Sequence, residues 1–152
     1  MSEFCVEPNI VKRAYDFICD AYKINTDRIR DIILQSGLMS VSSVLLSFTL
    51  DAYMLSQNNV DIKTLIASFN RGRSVDMILH NCSLAWLIRV YSYCGHNVTF
   101  LGELKNGKRP DFKLDGILCD LKTRMGYIEN LEMSNGTQPL IPLFSLVRII
   151  VS

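Results

Sequence analysis

Histidine is scarce in this sequence, and the cysteines lack the spacing of a metal-binding motif. His80 and His96 are the two histidines among 152 residues, too few for a histidine-built zinc site. The five cysteines form no CxxC pair and fall mostly inside apolar periodic segments, so we expect buried thiols in a reducing compartment. A glycine-rich phosphate loop and a Ser/His/Asp or Cys/His nucleophile motif are also missing. A metal site in this chain would therefore have to use carboxylates.

Neither net charge nor hydropathy points to a class of partner. The formal net charge is +1, so attraction to nucleic acid would have to come from a local patch of basic residues. The first residues do not resemble a secretory signal, and we expect a cytoplasmic, intracellular protein. The most apolar segment, residues 38–55, carries four serines and Asp51, which favours a buried helix over a membrane span.

Hydrophobic periodicity predicts helices before residue 95 and strands after it. Apolar residues recur every three or four positions up to that point and alternate beyond it. The predicted helices begin at Pro8, run from a Thr26 cap to Gly37, and cover residues 40–56, 61–69 and 74–95. The predicted strands cover residues 97–101, 111–114 and 117–123, with one or two more between 139 and 151, interrupted by Pro142. Weaker signals indicate a turn at Asn106-Gly107 and a short helix at 129–133.

The predicted secondary structure changes near residue 70, from helices alone to a helix followed by strands. We therefore predict a helical region of residues 1–69, used for packing or dimerisation, and an α/β unit of residues 70–152. The helix over residues 40–56 is more apolar than a small core requires, which suggests a homodimer.

Asp115-Gly116 lies between two apolar runs and predicts a two-residue β-hairpin. In that hairpin Leu114 faces Ile117, and counting outward places Asp111 directly opposite Asp120. Lys122 follows two residues after Asp120, so it projects from the same face of the strand.

Two opposed aspartates suit a hard divalent cation. Carboxylates on facing strand positions lie close together and repel each other unless a cation separates them. Mg²⁺ prefers oxygen ligands and is commonly held by one or two carboxylates together with phosphate oxygens. With Lys122 able to orient water and stabilise developing negative charge, Asp111 and Asp120 suggest phosphodiester hydrolysis.

Pro110-Asp111 and Asp120-Leu121-Lys122, joined by a short hairpin and preceded by a long helix, resemble the PD-(D/E)XK nuclease superfamily over residues 70–125. The resemblance implies a restriction-endonuclease-like mixed sheet flanked by helices. It also implies that Asp111 and Asp120 bind Mg²⁺ or Mn²⁺ and that Lys122 is catalytic. Many members carry a further acidic ligand on the helix before the first core strand, where Asp76 stands; Glu103 is the alternative.

Basic residues around the motif form a candidate nucleic-acid surface. Neutralising the two aspartates with a metal would leave this strip positively charged and able to hold a phosphate backbone. The candidates are Arg109, Lys113 and Arg124, with Arg73 before the long helix and with Lys105 and Lys108 equally explicable as solvated positions. We expect DNA as the substrate, with RNA as the alternative, because no residue pattern recognises a 2′-hydroxyl group.

A catalytically inactive module remains the second hypothesis, either a degraded nuclease fold or a helical interaction protein that binds nucleic acid or a protein. The outline of residues 26–56 resembles a helix-turn-helix, but its second helix has no Lys or Arg to contact DNA. His80 follows Asp76 by one helical turn and so could approach the site, although the pattern favours a partly buried, hydrogen-bonded histidine over that role.

Overall fold

The computed structural model describes residues 8–37, 40–101, 110–127 and 140–149, with the backbone path alone for 123–127 and 140–149. Helices precede strands along the chain. In the described part, the helices are α1 (Pro8–Tyr22), α2 (Thr26–Ser36), α3 (Val41–Gln57), α4 (Lys63–Asn70) and α5 (Val75–Tyr93). The strands are β1 (Val98–Phe100), β2 (Phe112–Leu114), β3 (Ile117–Tyr127) and β4 (Leu140–Ile149). The predicted combination of helices and strands is confirmed, whereas Asn106-Gly107 and residues 129–133 lie outside the described residues.

Local capping chemistry fixes most helix boundaries where the sequence placed them. The Ser74 side chain accepts a hydrogen bond from the Met77 amide at the start of α5, as expected of a serine N-cap. Gly37 ends α2 with φ 66°, a left-handed conformation that favours glycine. The predicted Thr26 cap is wrong by one residue, because Asn25 holds the non-helical cap position and its side chain accepts from the Arg28 amide.

Helix α3 lies at the centre of the helical part and contacts α1, α2 and α5. Its Phe48 is fully buried and stacks on Phe69 of α4 with ring centroids 3.7 Å apart. The apolar surface of α3 that suggested a homodimer is therefore largely buried against other helices of the same chain. A homodimer stays a prediction, but the apolar surface of α3 no longer supports it.

A buried ion pair also joins α3 to α5. Asp51 Oδ1 accepts a hydrogen bond from Arg89 Nε over 2.6 Å, and the Asp51 side chain is only 9% exposed. Burial raises the pKa of Asp51, and the Arg89 guanidinium opposes that rise. Burial also raises the pKa of the Cys82 thiol to about 12, with the nearby Asp51 carboxylate contributing, so this thiol is inert.

The expectation of buried thiols is wrong for Cys94, and α5 also exposes a large aromatic side chain. Trp86 is 54% exposed, because the buried face of this helix runs through Leu84, Ala85 and Ile88. Cys94 is exposed because it occupies the C-cap of α5, beyond the buried turns.

The described strands form one sheet in the order β1-β2-β3-β4, and each neighbouring pair is antiparallel. The prediction of a mixed sheet is therefore wrong for these strands. Parallel pairing requires a long crossover connection, whereas the β2–β3 connection is a two-residue turn. Between β3 and β4 the register shifts at Arg124/Met125, close to where Met125 pairs with Pro142, and a bulge is a position where a sheet tolerates proline.

The β2–β3 hairpin has one face toward the core and one toward solvent. Phe112, Cys119 and Leu121 are buried, and β3 contacts α5. One continuous cluster of buried apolar side chains extends from α1 to β3. The boundary predicted near residue 70 therefore crosses a shared core, and the division of the chain there stays a prediction. Among the described residues, none of the helices has both the length and the hydropathy required to cross a membrane.

Candidate active site

The hairpin that carries the candidate site has the predicted turn and register. Asp115 and Gly116 both have positive φ, 49° and 84°, as a type I′ turn requires. Leu114 pairs with Ile117 and Phe112 with Cys119, so the same count places Asp111 opposite Asp120. The turn is tied to the start of β1, because Asp115 Oδ1 accepts from the Asn97 amide over 2.8 Å. The register expected from the sequence is confirmed.

Asp111 is held by groups from two other elements. Its Oδ2 accepts a hydrogen bond from the Leu121 backbone amide over 2.8 Å and lies 3.7 Å from Nε2 of His80 on α5. Burial raises the pKa of Asp111, but the His80 imidazole, the Asp120 carboxyl group and the Leu121 amide together outweigh it, so the pKa lies below its usual range. Of the two carboxyl groups, that of Asp111 therefore loses its proton more readily.

The pKa of Asp120 is shifted in the opposite direction, upward. Its side chain is 15% exposed, and its pKa is raised by burial and by the neighbouring Asp111, against a lowering contribution from Lys122. Lys122 Nζ lies 3.0 Å from Asp120 Oδ2, while the lysine side chain stays 57% exposed. The predicted placement of Lys122 on the face of Asp120 is confirmed, and the two carboxyl groups lie within hydrogen-bonding reach of each other.

This donor set fits a divalent cation in its chemistry. Two carboxyl groups lie close together, and the pKa of Asp120 is raised by burial and, to a smaller extent, by Asp111; a bound cation would relieve the second of these effects. In the described ranges, however, no three His, Cys, Asp or Glu side chains come together in an arrangement that could hold a metal. Among the described residues, Asp111 and Asp120 are thus a pair of carboxyl groups and not part of a larger ligand cluster, and their role as metal ligands remains a prediction.

A cavity of about 380 Å³ opens beside Asp111, between α4, α5 and β1. Asp76, the predicted third ligand, lines this cavity together with Asp111 and His80, but it does not join the two aspartates as a ligand cluster. The role of Asp76 as a ligand remains a prediction, and its position in the first turn of α5 also stabilises the helix dipole. The structure thus places Asp76 near the aspartate pair, across a space large enough for a ligand.

The predicted nucleic-acid contacts are only partly described. Lys113 is exposed and pairs with Leu118, which alternation places on the face of Asp120 and Lys122. Arg73 is exposed just before α5, and the backbone of Arg124 lies in β3 opposite Phe144. The remaining basic candidates, Arg109, Lys105 and Lys108, lie outside the described residues, as does Glu103, the alternative acidic ligand.

Two contacts to Asp111 were not predicted as such. His80 was assigned only a possible approach to the site, on the signal that it follows Asp76 by one helical turn. The Leu121 amide gave no signal, because every non-proline residue carries one and the sequence does not show which amide a side chain will reach. Arg71, two residues before Arg73, also lines the cavity.

Neither a scan against protein-family models nor searches of curated proteins and of solved structures found a match to this chain. A functional assignment therefore depends on the chemistry of the site itself.

Proposed function

We propose that this chain is a metal-dependent nuclease with an active site of the PD-(D/E)XK type, hydrolysing phosphodiester bonds in DNA, with RNA as the alternative substrate. The observation that carries the proposal is the pairing of Asp111 with Asp120, with Lys122 on the same face of the hairpin. Two adjacent carboxyl groups with pKa values displaced in opposite directions are more typical of a functional site than of a stable surface.

Each side chain has a distinct role in this proposal. The His80 imidazole, the Asp120 carboxyl group and the Leu121 amide lower the pKa of Asp111, and the Leu121 amide also orients its carboxylate, so Asp111 would be the first negative ligand of a cation. Asp120 loses its proton less readily and becomes a second ligand when a cation offsets the charge of Asp111. Mg²⁺ or Mn²⁺ held by these two residues would supply Lewis-acid activation of the scissile phosphate and of water.

Lys122 supplies the positive charge that the two aspartates lack. Its ammonium group lies 3.0 Å from Asp120 yet remains largely exposed, so a substrate phosphate can approach it from solvent. There it would donate a hydrogen bond to a phosphate oxygen and stabilise the charge that develops during attack. Lys113 on the same face would hold the neighbouring backbone.

Cleavage of single-stranded, duplex and branched DNA and of RNA in Mg²⁺ or Mn²⁺ tests this proposal. We expect Asp111→Asn, Asp120→Asn and Lys122→Met each to lower the rate by about 100-fold or more, since each removes a charge from the reacting centre. Asp31→Asn on α2 and Lys63→Met on α4, both exposed, are the matched controls and should cleave at the wild-type rate. Equal rates for wild type and Asp120→Asn on every substrate would disprove the enzymatic role.

A catalytically inactive binding module is the second candidate. It is favoured by one observation, that three potential metal ligands do not converge among the described residues. Such a module would bind nucleic acid with an affinity that falls as salt rises, and neither Mg²⁺ nor Asp111→Asn would change it by more than about twofold. Metal-dependent cleavage distinguishes the two candidates.

A further inference from the structure

We propose that the cavity beside Asp111 binds a nucleobase of the substrate strand, so that the enzyme acts on single-stranded or locally unpaired nucleic acid. This inference rests on the proposed function, and it adds the class of substrate. The cavity volume of about 380 Å³ lies within the range of small-molecule sites.

The walls of the cavity combine apolar surfaces with a polar edge. Leu65, Leu84 and Phe100 line it and are nearly fully buried, offering surfaces against which a flat ring can pack. Ser68 and Asn81 line the same space and offer polar groups. A planar heterocycle with hydrogen-bonding groups along its edge suits such walls, as in enzymes that bind an extruded base.

Asn81 gives the second, independent indication of a ligand. It is only 5% exposed, and its Nδ2 donates to the backbone carbonyl groups of Met77, over 3.0 Å, and Ser68, over 3.5 Å. Those two carbonyl partners fix the orientation of the amide group, and no donor from the described residues bonds to its Oδ1. A buried acceptor without a partner is costly unless something binds it.

Every nucleobase can satisfy that acceptor, because each carries at least one N–H donor on its pairing edge. Asp111 belongs to both the cavity wall and the metal-binding pair, whereas Asp120 and Lys122 are not among the described residues that line the cavity. A base in the cavity and a phosphate at the aspartate pair could thus belong to adjacent parts of one strand. A stacked and paired base could not reach the cavity, and hence the substrate must be unpaired there.

Binding in EDTA tests this inference without requiring cleavage. We expect deoxyadenosine monophosphate to bind at least about tenfold more tightly than deoxyribose 5-phosphate or inorganic phosphate, because base stacking on apolar and aromatic groups is worth about that factor. Ser68→Phe, which fills the cavity, and Asn81→Leu, which removes the acceptor, should abolish this ratio. Ser47→Phe, on the exposed side of α3, should retain it. A ratio near one in wild type, or a full ratio in a folded Ser68→Phe, overturns the inference.

Methyl NMR shifts keep the test decisive if a variant fails to fold. Titrating wild type with deoxyadenosine monophosphate should shift the methyl resonances of Leu65 and Leu84 and leave those of Leu55, which is buried outside the cavity, unchanged. A single-stranded oligonucleotide should displace the nucleotide, and the matching duplex should not. Failure of the single strand to compete would identify a site for free nucleotides and overturn the substrate assignment.

The two proposals fail separately. A protein that cleaves in Mg²⁺ or Mn²⁺ but shows no base-dependent binding retains the proposed function and loses this inference. Base-dependent binding in EDTA without cleavage in either metal would disprove the proposed function and leave a nucleobase-binding cavity.

Discussion

The carboxyl group of Asp120 is ionised at a cost to folding. Its pKa is raised by burial and by Asp111, so the charged form is less stable in the folded chain than in the unfolded one. An asparagine at this position keeps the shape, can still donate to Asp111, and removes the repulsion. We therefore expect Asp120→Asn to raise the Tm in EDTA by roughly 2 °C at neutral pH, measured by calorimetry.

The pKa shifts of Asp111 and Asp120 also predict how the stability difference between wild type and Asp120→Asn changes with pH. A raised pKa at Asp120 stabilises the fold below the ordinary value of 3.8, and this contribution is lost as the pH rises through the folded value. The lowered pKa of Asp111 has the opposite effect. It stabilises the fold above the ordinary value of 3.8, and this contribution is lost only as the pH falls below that value. The Tm difference between Asp120→Asn and wild type should therefore widen from about pH 4 to about pH 7. A difference that shrinks over this interval would contradict the assignment.

Divalent metal should make wild type more thermally stable than Asp120→Asn, the reverse of their order in EDTA. If Asp111 and Asp120 bind a cation as proposed, it would stabilise wild type by about 3 kcal/mol at 100 times its dissociation constant. Asp120→Asn lacks one ligand and should gain far less. Calorimetry in EDTA and in Mn²⁺ measures both halves of this comparison, with Asp31→Asn as the control that follows wild type.

His80 acts on Asp111 through its imidazole. The ring nitrogen lies 3.7 Å from the carboxylate and contributes to its lowered pKa. We expect His80→Gln to raise the pKa of Asp111, followed by carboxyl carbon NMR, and to weaken Mn²⁺ binding at mildly acidic pH, where protons compete for the ligand. His96→Gln, which changes the histidine beside Asp115 instead, is the matched control and should leave the pKa of Asp111 unchanged.

At the scale of secondary structure elements, the β2–β3 turn sets the geometry of the site. Gly116 has φ 84°, where an L side chain is strained even though its Cβ would meet nothing within 4 Å. Gly116→Ala should therefore lower the free energy of unfolding by about 1–2 kcal/mol through backbone strain alone. Urea denaturation measures this loss. Asp115→Asn, which keeps a favourable type I′ residue, is the control and should lose less.

The α3–α5 contact contains a second sensitive pair. Arg89→Met would leave the Asp51 carboxyl group buried without its guanidinium partner, and we expect a loss of roughly 3 kcal/mol in the free energy of unfolding. The double variant Asp51→Leu with Arg89→Met removes both charges and should recover a large part of that loss. A double variant as unstable as Arg89→Met would show that packing, rather than charge, dominates this contact.

At the scale of the whole molecule, one apolar cluster joins the helices to the sheet, so the site depends on both. Helix α5 contributes His80 and the cavity wall, while β3 contributes Asp120, Lys122 and the Leu121 amide. A homodimer stays a prediction that light scattering at micromolar concentration can test. A monomer would agree with the internal burial of α3.

Much of the local structure was predictable from the sequence. Ser74 and Gly37 define helix ends because capping depends on a few adjacent groups, and Asp115-Gly116 defines the hairpin because its turn requires positive φ at both residues. Once the turn is known, the opposition of Asp111 and Asp120 follows by counting. The misplaced Thr26 cap shows that such signals locate a boundary to within about one or two residues.

Contacts between distant elements were decided by the tertiary structure. The sequence determined the hairpin, its two aspartates and the face that carries Lys122, because these depend on backbone angles and on strand alternation. Packing of α5 against the sheet decided that His80 reaches Asp111, that Arg89 meets Asp51, and that a cavity remains between α4, α5 and β1. The physical reason is that such contacts depend on how buried side chains fit together, and no short segment of sequence contains that information.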